Sequence, residues 1–94
     1  MELRTKYVIT SNRESGLGRY DIVLEPRSSA DDAIIIEFKV FNSKKEKNLE
    51  ETLQNALQQI EDKKYETNLR AKGIPSEKIR KYGFAFEGQT VLIG

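Results

Sequence analysis

Cysteine, histidine and tryptophan are all absent from the 94 residues. Without cysteine there is no disulfide and no thiolate metal site. Without histidine the chain lacks the commonest zinc ligand and acid-base residue. Any metal must then be held by oxygen, which favours magnesium, manganese or calcium. Long apolar runs are lacking too. The longest, Ala33 to Ile36, is far too short to span a bilayer. No basic segment followed by an apolar stretch opens the chain, so secretion is not indicated and a cytoplasmic location is expected. Charge of one sign is scarce: the net charge is +1, which gives no global electrostatic footprint for nucleic acid.

Charged residues nevertheless make up 33% of the chain, so the apolar residues must be concentrated in a few elements. The length suits one small domain with a single core and little surplus stability. Two basic clusters stand out, Lys44-Lys45 with Lys47, and Lys78 with Arg80-Lys81. Charge runs are usually solvated faces; for a nucleic-acid partner they are the natural phosphate contacts, with affinity falling as salt rises.

Tyr7-Val8-Ile9 reads as a short strand, and Ser11 to Gly18 as a turn-rich connection. Arg19 to Leu24 alternates, with Tyr20, Ile22 and Leu24 on one face and Asp21 and Val23 on the other. Pro26 ends that strand, and Arg27 to Asp32 forms a polar turn. In Ala33 to Phe41, one face carries Ile34, Ile36, Phe38 and Val40, and the other Ile35, Glu37 and Lys39. Ile35 implies that this second face is partly covered, with Glu37 and Lys39 at the edge of the covered region.

Asn42 and Ser43 are N-cap candidates for a long helix, and Ser43-x-x-Glu46 has capping-box spacing. Leu49, Leu53, Ala56, Leu57 and Ile60 form its apolar stripe, and a break is expected between Lys63 and Glu66. Gly73 is a helix stop, Pro75-Ser76-Glu77 opens a short helix through Tyr82, and Phe84 to Ile93 closes the chain as a hairpin. The order β-β-β-α-(α)-β-β implies an α/β (α+β) domain: a meander, then a helical crossover into a mixed sheet with helix packed on it.

Asp21 and Glu37 fall on strands joined by a short turn. Facing carboxylates on neighbouring strands, about 4.8 Å apart, can share one cation. Lys39 shares a face with Glu37, where its ammonium can hold and polarise an attacking water, and the main-chain carbonyl of Phe38 is a further oxygen ligand. This is the equipment of metal-assisted phosphodiester hydrolysis, which needs no histidine. The plainer alternative is that Glu-x-Lys is only the pleat of a strand with a wet face.

The acid followed by acid-x-lysine resembles the PD-(D/E)xK nuclease superfamily, whose restriction-endonuclease-like core carries an acid on one strand and E-x-K on the next. More narrowly, Ser11 to Ile22, Ile35 to Val40, Ala56 to Ile60, Lys63-Lys64-Tyr65 and Tyr82 to Phe86 resemble the nuclease-like C-terminal domain of bacterial and archaeal AAA-ATPase-like proteins of unknown function. The resemblance covers nearly the whole chain, 1–94, as a single nuclease-like domain. It implies that Asp21 and Glu37 (with Phe38) are ligands of Mg2+ or Mn2+, that Lys39 is the catalytic lysine, and that Gln59 contacts the site or substrate. Lys63, one helical turn after Gln59, could share its face and meet a phosphate, beside Lys44 and Lys45. Tyr65 reads as a packing residue.

Two departures from the family pattern matter. Tyr20 stands where the superfamily name has proline. The first core helix, which often supplies an additional acid, is missing, so the chain reads as a fragment or shortened version; Glu14 is the nearby acid that could substitute. A homodimer or an AAA-ATPase-like domain is the expected cover for the face so left. Three functions compete: a metal-dependent nuclease acting on DNA more readily than RNA, an inactive nucleic-acid-binding or dimerisation module that keeps the fold, and a small interaction domain whose acids are merely solvated.

Overall fold

The computed structural model describes residues 6–14, 19–28 and 30–94. The glycine-rich approach to Asp21 and the segment before residue 6 lie outside the described residues, as does the side chain of Glu14. Five strands form one mixed sheet in the order β1-β2-β3-β4-β5: β1 (Tyr7–Glu14), β2 (Arg19–Pro26), β3 (Ala33–Val40), β4 (Ile79–Glu87) and β5 (Thr90–Ile93). The first three are an antiparallel meander; β4 then joins β3 in parallel and β5 returns antiparallel. The parallel step requires a crossover, supplied by α1 (Leu49–Asp62) and α2 (Tyr65–Ala71). This is the expected α+β arrangement, a mixed sheet consistent with a restriction-endonuclease-like domain.

Several boundaries differ from the expected ones. Strand β1 runs on through Asn12 to Glu14, because its backbone pairs with β2 along its whole length. Helix α1 begins six residues after Ser43: its N-cap is Asn48, whose side chain accepts from the Glu51 N–H at 2.9 Å. Thus Asn48-x-x-Glu51 occupies the capping spacing, and Glu46 does another job. After Gly73, whose φ of +97° suits a residue without Cβ, only a single 3-10 turn (Ser76–Lys78) forms before β4. The residues Ile79 to Tyr82 are strand, since pairing with β3 captures them. The closing hairpin turns at Gly88-Gln89, with Gly88 at φ +59° in the first loop position of a two-residue turn.

The core lies on the less apolar-looking face of the sheet. Leu53, Ala56 and Ile60 of α1 are buried, and Ile60 packs with Val23, Ala33, Ile35, Leu69 and Ile79. Burying a side chain such as Ile60 contributes about 1.5–3 kcal/mol. Gly83 permits the close approach of α1: a Cβ there would stand 2.9 Å from Leu53 Cδ1 and 3.2 Å from Leu57. Ile34, Ile36 and Phe38, on the opposite face, are only half-buried, and Val40 is exposed. That face is consolidated by aromatic rings, with Tyr20 and Phe38 stacked at 4.4 Å and Phe84 and Phe86 beside them. Small residues at Ala33 and Ala85 let a helix sit close on the other side. Glu37 is consequently beneath helix, not at the edge of a cover.

Candidate active site

Asp21 and Glu37 stand directly opposite each other in the β2–β3 register, and both are 0% exposed. The reading of these acids as merely solvated therefore falls. The same rung of the sheet runs from Asn12 on β1 to Gly83 on β4. Two opposed carboxylates without solvent repel each other and need compensation. Lys63 provides it: its Nζ donates to Asp21 Oδ2 at 2.6 Å and lies 3.6 Å from Glu37 Oε1.

Asp21 is flanked on two further sides. Asn12 Nδ2 donates to Asp21 Oδ1 at 3.1 Å, and the Tyr65 hydroxyl lies beside the same carboxylate. Burial, and then the neighbouring Asp21 carboxylate, pushes Tyr65 up to about 12, so the phenol stays protonated throughout the neutral range. Tyr65 also packs against the core, as its sequence position suggested, but its hydroxyl belongs to the acid cluster.

The backbone explains how two neighbours in sequence reach one carboxylate. Lys63 caps α1, donating its N–H to Gln59 O at 3.0 Å. Lys64 then takes a left-handed conformation at φ 56°, turning the chain so that Tyr65 opens α2 above Asp21. No spacing rule exposes such a turn, because lysine is an uncommon residue at positive φ. Asn12 was hidden for a different reason: its segment reads as turn until the pairing with β2 is known.

Lys39 lies one pleat repeat from Glu37, yet its ammonium goes elsewhere. Lys39 Nζ donates to Glu46 Oε2 at 2.5 Å, and its side chain is 14% exposed against 0% for that of Glu46. Glu46 also accepts from Asn55 Nδ2 at 2.7 Å, from the Asn42 N–H at 2.8 Å and from Thr52 Oγ1 at 2.9 Å. Burial alone would raise the Glu46 carboxyl, but these bonds from Lys39, Asn55, Asn42 and Thr52 outweigh it and hold the group at about 2. The Ser43-x-x-Glu46 spacing suggests a helix cap, but the competing Asn48-x-x-Glu51 spacing takes the cap and leaves Glu46 to fold back.

The remaining expected residues are dispersed. Gln59 is half-buried one turn before Lys63, and its side chain makes no hydrogen bond among the described residues. Phe38 pairs in register with Tyr20 and Phe84. Lys44 and Lys45 are exposed on the loop that Asn42 and Glu46 close, with the Lys44 N–H donating to Asn42 Oδ1 at 3.0 Å. The second basic cluster is engaged in ion pairs: Arg80 with Asp32, and Lys81 with Glu61 and Glu66.

The acid pair fits a divalent cation by donor chemistry and by charge. Its donors are oxygen only, they face each other across one rung, and a positive charge already spans them as Lys63. Among the described residues, no third Asp, Glu, His or Cys joins them in a metal-ligating group, so further ligands would be main-chain carbonyl or water oxygens.

A mixed sheet that presents an acid on one strand and acid-x-lysine on the next defines a nuclease-like domain. A family model of the PD-(D/E)XK nuclease superfamily matches residues 1–94, and the chain belongs to that superfamily. Such nucleases generally act with divalent metal ions, and membership suggests interaction with nucleic acid. Neither the curated proteins nor the solved structures contain a match to it. No helix among the described residues is long and apolar enough to cross a membrane.

Proposed function

We propose that residues 1–94 form one nuclease-like domain that hydrolyses phosphodiester bonds of nucleic acid, DNA in preference to RNA, with Mg2+ or Mn2+. The observation that carries this reading is the buried, register-opposed pair Asp21 and Glu37. These carboxylates, with the Phe38 carbonyl, would hold the ion, which supplies Lewis acidity at the phosphate and the attacking water. Asn12 orients Asp21, with the Tyr65 hydroxyl beside it. Lys39, fastened to Glu46, stands as the candidate catalytic lysine, and Gln59 as a substrate contact. Lys44, Lys45 and Lys63 are the candidate phosphate contacts, Lys63 only once it leaves Asp21. The half-buried aromatic face is the surface that a second copy or an AAA-ATPase-like domain would cover, in keeping with the narrower resemblance.

The test is incubation of the protein with plasmid and linear DNA and with RNA, in Mg2+ and in Mn2+. Cleavage that disappears in Asp21→Asn and Glu37→Gln supports hydrolysis. A second reading, an inactive nucleic-acid-binding or dimerisation module, is favoured by the engagement of Lys39 with Glu46 and of Lys63 with Asp21. It predicts no cleavage and salt-sensitive binding that survives Glu37→Gln unchanged.

A further inference from the structure

The ammonium on the acid pair comes from the helix junction, not from the acid-x-lysine strand. We propose that Lys63 is the resident counter-cation of Asp21 and Glu37, a latch that a divalent cation must displace to enter. This inference rests on the reading of the pair as a metal site.

Charge makes the exchange exclusive. As ligands of a metal the two carboxylates are ionised and carry −2, which a divalent ion alone brings to zero. Holding Lys63 as well would give a buried excess of +1, which desolvation disfavours. Access points the same way. Both acids are fully buried while the Lys63 side chain is 21% exposed, so this side chain links the carboxylates to solvent. Lys63 is anchored to α1 by its N–H on Gln59 O, so its part-exposed side chain leaves the carboxylates by rotation about its own bonds, with no change of backbone. Asn12 approaches Asp21 from β1, independently of the helix junction, and keeps the carboxylate oriented as the lysine leaves. Once released, the Lys63 ammonium lies at the mouth of the site, where it can meet a phosphate. Metal loading thereby exposes the charge that receives the substrate.

The latch is tested by binding and spectroscopy without reference to turnover. In the wild-type protein, nitrogen NMR of the Lys63 ammonium is followed during Mg2+ titration, and Mn2+ affinity is measured by calorimetry for wild type, Lys63→Met, Lys63→Gln and Asp21→Asn. The expected results are a Lys63 signal that moves to the position of a solvated lysine and Mn2+ binding at least about tenfold tighter in Lys63→Met. Lys63→Gln, whose amide retains a donor to Asp21, serves if Lys63→Met does not fold, and the wild-type titration needs no variant. Mn2+ binding abolished by Asp21→Asn, but unaltered by either Lys63 substitution and without movement of the Lys63 signal, overturns the latch and leaves the metal reading standing. No Mn2+ binding to wild type or to either Lys63 variant overturns the metal reading and the latch together.

Discussion

Two lysines and three acids are partitioned into separate buried clusters, Lys63 with Asp21 and Glu37, and Lys39 with Glu46. The second cluster makes a prediction in acid. Glu46 is held at about 2 against 4.5 for the free group, so its contribution to stability is complete above pH 4.5. It is lost as the pH falls from 4.5 through 2, and amounts to about 3 kcal/mol on conversion of the shift. Urea unfolding between pH 2 and 7 should show this slope, and Glu46→Gln should flatten it while lowering stability at pH 7. Lys39→Met leaves the buried Glu46 charge with neutral donors alone and should cost about 3 kcal/mol or more. At this scale the sequence made the opposition of Asp21 and Glu37 legible, because alternation fixes faces and a short turn fixes neighbours. The partners of the lysines were not legible: Glu46 folds back from a loop, and Lys63 arrives from a helix end 42 positions from Asp21.

Elements were more legible than their contacts. The meander, the crossover, the helix break and the closing hairpin follow from period, glycine and proline signals alone. The identity of the core face did not, since Ile34, Ile36, Phe38 and Val40 outnumber the apolar residues behind them. The helix chose the face with Ala33, Ala85 and Gly83, where small residues permit close packing. Gly83→Ala should therefore destabilise by about 1–3 kcal/mol, because Leu53 and Leu57 must yield to the new Cβ, and thermal melts would read it. The junction between α1 and α2 predicts the opposite sign. Lys64→Gly removes the cost of a side chain at φ 56° and should raise stability by up to about 1 kcal/mol.

The molecule as a whole carries almost no net charge, so nucleic-acid binding must draw on local contacts. With Lys44, Lys45 and a released Lys63 on phosphates, the logarithm of affinity should fall with the logarithm of salt at a slope of about −2 to −3. Replacing Lys44 and Lys45 with alanine should reduce that slope by about one unit each. Arg80 and Lys81, which belong to ion pairs within the fold, should leave it little changed when replaced. All of this turns on whether the buried rung from Asn12 to Gly83 holds a cation at its centre. Crystals soaked in Mn2+ and measured at the manganese edge test that claim directly. The expected result is an anomalous peak between the carboxylates of Asp21 and Glu37 with the Lys63 ammonium withdrawn; at saturating Mn2+, no peak there and Lys63 still on Asp21 would contradict a metal site.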